Sequence, residues 1–230
     1  MLDLARIRAI TLDLDDTLWP VWPAIERAQA VLAQWLRAHA PATAERYRTP
    51  AALRAIRDQV ERDRPDLGHD LGALRRESIR LALAQAGDDP ALAEPAFALF
   101  FAERQRVDLY DGALDLLAFL SARYPVVALS NGNADVHAVG IGRYFAAALS
   151  ACEFGVGKPD PRIFHAAARA AGVEPHAVLH IGDDATLDAQ GALGAGMQAV
   201  WINRTAQPWP HAGPAPATVD GLGQLHGLLR

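Results

Sequence analysis

The first apolar strand of this chain has no strand to pair with until Val126. Ile7 to Leu14 (IRAITLDL) is an apolar, partly alternating run that carries Ile and Thr, and it stops at Asp15-Asp16. Such a run reads as a buried strand. The zone that follows, residues 20–107, contains helix starts and no convincing strand. A lone strand leaves its backbone donors and acceptors unpaired, so this one must join a sheet built later in the chain. The helical zone is then an insertion after the first strand.

Within that insertion, Pro23 opens a helix to about Ala38, with Ile25, Ala28, Leu32, Trp35 and Leu36 on one face. Thr49-Pro50 reads as an N-cap with proline at the first helical position, leading to Leu53, Ile56 and Val60. Leu71 to Ala86 is a third helix that ends at Gly87, and Asp89-Pro90 caps a fourth segment. Pro95 is expected to break or restart that segment before Phe97, Phe100 and Phe101.

Beyond residue 107 the pattern alternates. Helices are expected over Gly112 to Arg123, Asp135 to Gly140, Asp160-Pro161 to Gly172, and Thr186 to Ala195. Strands are expected at Val126 to Ser130, Ala146 to Ser150, Val178 to Ile181 and Gln198 to Ile202. Pro208 to Pro216 reads as a loop before a short final helix, Leu222 to Leu229. Strands separated by single helices imply right-handed crossovers and a parallel sheet. The fold expected is α/β: a Rossmann-like parallel sheet flanked by helices, formed by residues 1–19 and 108–230, with an all-helical domain over 20–107.

Composition excludes several functions. The net charge of −5 gives no basic field for nucleic acid. No apolar run approaches the roughly 20 residues that cross a bilayer, so no membrane partner is expected. The N-terminal stretch turns acidic within its apolar run and does not read as a signal peptide. One cysteine, Cys152, rules out an internal disulfide and a cysteine-based zinc site, which fits a reducing, cytoplasmic location. Asn203-Arg204-Thr205 spells a glycosylation sequon that reads as chance without a secretory signal. Of the 22 Lys plus Arg, a single residue is lysine, Lys158.

In an open parallel sheet, ligands bind beyond the carboxyl ends of the strands. The first strand delivers Asp13, Asp15, Asp16 and Thr17 there, and the next delivers Ser130, Asn131, Gly132 and Asn133. The strand ending at Ile181 delivers Gly182, Asp183 and Asp184, with Asp188 a turn further on, and Gly157-Lys158-Pro159 precedes a helix on the same side. Carboxylates this close cannot all ionise without compensation, either a raised pKa on some of them or a bound metal. Oxygen-only donors suit a hard ion such as Mg²⁺, and Mg²⁺ beside hydroxyls, backbone N–H groups and an ammonium suits a phosphate.

These residues resemble the four motifs of the haloacid-dehalogenase superfamily. Asp13-Leu14-Asp15-Asp16-Thr17 resembles the first, Ser130-Asn131 after VVAL the second, Lys158 in GKPDPRIF the third, and Gly182-Asp183-Asp184 with Asp188 the fourth. The insertion falls where that superfamily carries a helical cap. The resemblance implies an Mg²⁺-dependent phosphatase for small phosphorylated metabolites. Asp13 is then the nucleophile that forms an aspartyl-phosphate. Asp15 is the general acid and base. Asp13, the backbone carbonyl of Asp15, and Asp183 hold Mg²⁺. Thr17, Ser130 and backbone N–H groups near Asn131 cradle the phosphoryl oxygens, and Lys158 bridges nucleophile and phosphate. Asp188 orients Lys158 or the metal waters, and Asp184 supports the site from behind.

Dehalogenases of the superfamily need no acid where Asp15 stands, so Asp15 favours phosphoryl chemistry over dehalogenation. A phosphomutase on the same core retains that aspartate, and a non-enzymatic metabolite-binding module is the alternative of a different class. LHIGDDATLDAQGALGAGMQAVWINR, LSNGNADV and TLDLDDTLW are similar to bacterial flavin-mononucleotide (FMN) phosphatases, which also act on 5-amino-6-(5-phosphoribitylamino)uracil.

Other features carry blander expectations. Gly157-Lys158 is not a P-loop, because Pro159 replaces Ser or Thr. His180 reads as a core or strand-end histidine rather than a ligand. Trp19 and Trp22, just past the nucleophile turn, suit either core packing or a substrate ring. Arg75, Arg76 and His69 read as a solvated helix face.

Overall fold

The computed structural model describes residues 2–230. Two compact units account for the chain: one of residues 1–20 and 108–230, the other of residues 21–107.

The first unit is built on a six-stranded sheet of β1 (Ala9–Leu12), β2 (Val126–Ser130), β3 (Ala147–Ser150), β4 (Val178–Gly182), β5 (Gln198–Ile202) and β6 (Ala217–Val219). Their spatial order is β3-β2-β1-β4-β5-β6, and every pairing is parallel. This is the Rossmann-like sheet expected from the alternating pattern. Every residue of β1, β2 and β4 is buried. Burial on both faces explains why these strands read as continuous apolar runs. Helices α6 (Ala113–Ser121), α7 (Ala151–Phe154), α8 (Pro161–Ala170), α9 (Gly191–Gly194) and α10 (Leu222–Leu228) complete the unit. Ile163, Phe164 and Ala167 of α8 pack with Leu129, Val178 and Trp201 of the sheet.

The chain runs outward from β1 through β2 to β3, then returns to place β4 on the other side of β1. This reversal is a switch point, where the loops after two adjacent strands diverge and leave a crevice. The Asp13 N–H donates to the Ile181 carbonyl at 2.9 Å, so the ends of β1 and β4 stay in register up to the crevice.

The second unit is all-helical: α1 (Val21–His39), α2 (Pro41–Arg46), α3 (Pro50–Asp63), α4 (Leu71–Ala86) and α5 (Ala93–Arg104). Thr49 accepts from the Ala52 N–H with Pro50 at the first helical position, the cap its sequence predicts. Gly87 at φ +87° ends α4, and the Asp88 N–H reaches back to the Leu83 carbonyl. Ala28, Leu32 and Leu36 of α1 pack with Ile79 and Leu83 of α4 and Phe97 and Phe100 of α5. Each large apolar side chain buried there stabilises the unit by about 2 kcal/mol.

The segment capped by Asp89 restarts as α5 at Ala93, after the Pro90–Leu92 turn, so that Pro95 lies in the first turn, where no intrahelical donor is needed. Two local expectations are corrected. The helix expected over Asp135 to Gly140 is a run of turns, because Gly140 at φ +88° takes the backbone out of the helical region. The helix expected from Thr186 opens instead as a π-helical turn, Ala185–Gln190. Strand β6 follows the stretch read as a loop, in residues given no element; its three residues offer too little pattern to detect.

Candidate active site

The loop after β1, the residues after β2, the segment before α8 and the turn after β4 meet at the switch point. Lys158 Nζ donates to Asp13 Oδ1 at 2.6 Å and to Asp188 Oδ1 at 2.5 Å, with all three side chains buried. Carboxylate oxygens of Asp13, Asp183 and Asp188 lie within 4.8 Å of one another.

Local backbone choices put these groups in place. Lys158 is fixed from behind by Asn131, whose Nδ2 donates to the Lys158 carbonyl at 2.8 Å and whose Oδ1 accepts from the Lys158 N–H at 2.7 Å. Gly157 makes this docking possible, since a Cβ there would lie 2.6 Å from Asn131 Oδ1. The π-helical turn carries Asp188 inward against Gly182, where a Cβ would stand 2.2 Å from the Asp188 carboxyl carbon. Turns of this kind recur at functional sites because the extra residue re-aims a side chain.

Each expected site residue has a definite place. Thr17 is buried and donates from Oγ1 to Asp183 Oδ1 at 3.2 Å. Ser130 Oγ accepts from the Gly132 N–H at 2.9 Å, which tightens the loop after β2. Asp15 accepts at Oδ1 from the Trp19 indole at 2.8 Å. The Asn131 carboxamide is fully engaged by the Lys158 main chain. Asp184 is exposed and caps the π-helical turn, accepting from the Thr186 and Leu187 N–H groups, each at 2.7 Å. Asp188 therefore holds Lys158, while Asp184 contributes a backbone N–H to Asp188 Oδ2 at 3.0 Å.

The electrostatics follow from the surplus of carboxylates. Burial opposes the charge on Lys158, but Asp13 and Asp188 outweigh it and raise the ammonium pKa. Burial likewise opposes ionisation of Asp188, yet Lys158 and His180 overcome it and hold this carboxyl far below its ordinary range. Asp13 moves the other way: burial raises it well above its ordinary value, against the pull of Lys158. Asp183 is pushed up to about 7 by burial and by the charges of Asp188 and Asp16. Asp13, Asp183 and Asp188 share one ammonium, a surplus of 3 − 1 = 2 negative charges when all are ionised. All donors of this cluster are hard oxygens. A dication that prefers oxygen fits both the charge and the donor chemistry. The two oxygens of Asp188 are already engaged, which leaves Asp13 and Asp183 as the side chains to hold it.

A family model described as haloacid dehalogenase-like hydrolase matches residues 7–196. The chain belongs to the haloacid dehalogenase-like hydrolases. This hydrolase is 36% identical over 203 residues to the 5-amino-6-(5-phospho-D-ribitylamino)uracil phosphatase YigB of Escherichia coli K12, covering 86% of this chain and 84% of that one. It is 38% identical over 150 residues to a phosphoserine phosphatase of Thermus thermophilus, covering 62% of this chain and 60% of that one. Among solved structures, a 2-haloacid dehalogenase from Pseudomonas syringae pv. Tomato DC3000 superposes with a TM-score of 0.88 at 37% identity, covering 97% of this chain and 98% of that one.

Several residues around the hydrolase site escaped the sequence reading. His180 is fully buried, as expected of a core residue, but its Nε2 donates to Asp188 Oδ1 at 3.1 Å. Its Nδ1 then accepts from Thr11 Oγ1 at 2.8 Å, which fixes the tautomer. Their alternation on adjacent strands is the only trace in the sequence. Trp19 is fully buried and its indole orients Asp15, so it does not face a substrate ring. Arg204, inside the sequon read as chance, donates to the carbonyls of Asp16 and Thr17 and stacks over the Tyr110 ring. It ties down the turn that carries Asp15. Among the described residues, no helix is long and apolar enough to cross a membrane.

Proposed function

We propose that this hydrolase is an Mg²⁺-dependent phosphomonoesterase acting on small phosphorylated metabolites in the cytoplasm. FMN and 5-amino-6-(5-phospho-D-ribitylamino)uracil are the preferred substrates. The observation that carries this reading is the Lys158 ammonium held 2.6 Å from Asp13 inside a cluster with two more charges than it can neutralise. The similarity to a phosphatase of the second substrate supports the choice.

Asp13 attacks phosphorus and forms the aspartyl-phosphate as the bond to the leaving oxygen breaks. Asp15 gives that oxygen its proton, then takes one from the water that attacks the phosphoryl group. Phosphate leaves and the Asp13 carboxylate is restored. The Trp19 indole orients Asp15 for both transfers. Thr17 and Ser130 hydroxyls and the backbone at Asn131 hold the phosphoryl oxygens, and Lys158 keeps the nucleophile and phosphate together. Asp13, Asp183 and the Asp15 carbonyl would hold Mg²⁺, which when bound neutralises charge between two anions. Residues 20–107 serve as the helical cap domain that selects the substrate.

The solved dehalogenase relative favours a second reading, displacement of halide from a haloacid. Asp15 argues against it, because a halide leaves without a proton. A panel of phosphorylated metabolites assayed for released phosphate, with and without Mg²⁺, decides between them. Phosphate release that EDTA and Asp13→Asn both abolish is expected. Metal-independent release of halide from 2-chloropropionate, with no phosphate released, overturns the reading.

A further inference from the structure

The helical unit holds a cavity of about 400 Å³ between α1 and α3. Four arginines line it, Arg48 and Arg54 with Arg57 and Arg75, together with the rings of Trp22 and Tyr47. Glu26 is the single acid among the lining residues, so the lining carries a formal charge of 4 − 1 = +3. That is a local reversal of sign in a chain whose net charge is −5.

The arginines are poorly neutralised. Arg48 pairs with Glu45 and Arg57 lies 3.7 Å from Asp58, both in solvent-accessible pairs of the kind that contribute little. Arg75 has no carboxylate partner among the described residues. Its guanidinium lies over the Phe100 ring, 4.5 Å from the centroid. Burial and the charge of Arg57 lower its pKa to about 10. The expectation that Arg75 belongs to a solvated helix face is therefore corrected. Thr49 and Pro50, which open the 14-residue helix α3, also line the cavity, so the positive end of that helix adds to the field.

The aromatic side is equally unusual. Trp22 is 57% exposed although it is the largest apolar side chain in the lining. A cavity of this size lies within the range of small-molecule sites. Guanidinium groups match carboxylate and phosphate oxygens in pairs, and indole and phenol rings stack on flat ligands.

We propose that this cavity binds a small planar organic anion, its carboxylate or phosphate groups held by Arg75 and Arg57 and its ring by Trp22 and Tyr47. That chemistry has two sources: the non-reacting part of the phosphorylated substrate, or a separate anionic effector. Binding itself does not rest on the phosphatase reading; only the choice between the two sources does.

Isothermal titration of the full chain with isophthalate, a flat dicarboxylate that carries no phosphorus, tests the site. One saturable equivalent is expected. Arg75→Gln and Arg57→Gln should each weaken it by about tenfold or more, whereas Arg6→Gln should not. Non-planar cyclohexane-1,3-dicarboxylate should bind more weakly. Arg57 is half-exposed, so its variant reports even where Arg75→Gln fails to fold. In an aryl phosphatase assay, competitive inhibition by isophthalate identifies the substrate's own anionic part as the occupant, and non-competitive inhibition identifies an effector. Absence of saturable binding, or equal affinity in both arginine variants and the wild type, overturns the proposal. Loss of all phosphatase activity with isophthalate binding intact overturns the phosphatase reading alone.

Discussion

Lys158 stands between two buried carboxylates, 2.6 Å from Asp13 Oδ1 and 2.5 Å from Asp188 Oδ1. The two acids are not equivalent. Asp188 is locked by His180 and the Asp184 N–H as well, whereas the first carboxylate stays protonatable and buried. The ammonium is thus anchored on one side and presented to Asp13 on the other.

A compact ammonium fits this gap, and the wider guanidinium fork does not. Lys158→Arg is expected to lower turnover by about 10²-fold or more while the circular-dichroism spectrum and melting cooperativity persist. Near-normal phosphate release by that variant would show that charge alone suffices at this position.

His180 acts on Lys158 through Asp188. His180→Phe keeps an aromatic ring against Phe164, 5.2 Å away between centroids, but removes the donor to Asp188. Turnover should fall about 10- to 100-fold with KM within about twofold, as is typical when the partner of a site ligand is removed. His180→Gln, which retains a donor, should recover part of the loss. Equal losses in both variants would assign His180 to packing alone.

Gly182 has no room for a methyl group, because Asp188 occupies that space. Gly182→Ala should displace Asp188, releasing Lys158 and lowering both turnover and melting temperature. The cost expected for overpacking a tight core is about 1–3 kcal/mol. Denaturant unfolding measures it, and a change below about 0.5 kcal/mol with full activity would contradict the contact.

Stability without metal should depend on pH through Asp183. Its folded pKa of about 7 lies above the ordinary carboxylate value, so the folded state binds the extra proton. This contribution is fully present below the unfolded pKa near 4 and is lost as pH rises to 7. The melting temperature of chelated protein should therefore fall over that window, and Asp183→Asn should flatten the fall. Mg²⁺ at about 100 times its dissociation constant should restore about 2.7 kcal/mol at pH 7. A chelated protein whose stability is the same at pH 4 and pH 7 would remove Asp183 as the source.

Sequence alone determined the middle of the sheet, because β1, β2 and β4 are buried on both faces and read as largely apolar runs such as VVALS and VLHIG, whereas the short edge strand β6 left no pattern. It also placed Asp13 and Asp183 at strand ends, with Lys158 ahead of a helix and Asp188 a turn further on the same side, since chain order and the switch-point rule leave them one common edge. Periodicity was insufficient where a single glycine or one extra residue per turn redirects the backbone, as at Gly140 and in the π-helical turn. Only the tertiary structure decided which acid holds Lys158. Asp184 and Asp188 are alike in composition and differ by which face of that turn they occupy. It likewise revealed the relay from Thr11 through His180, because those partners lie 169 residues apart and meet only when β1 pairs with β4. Local pattern reports a residue's own element; it carries no information about the side chain that a distant strand brings within 3 Å.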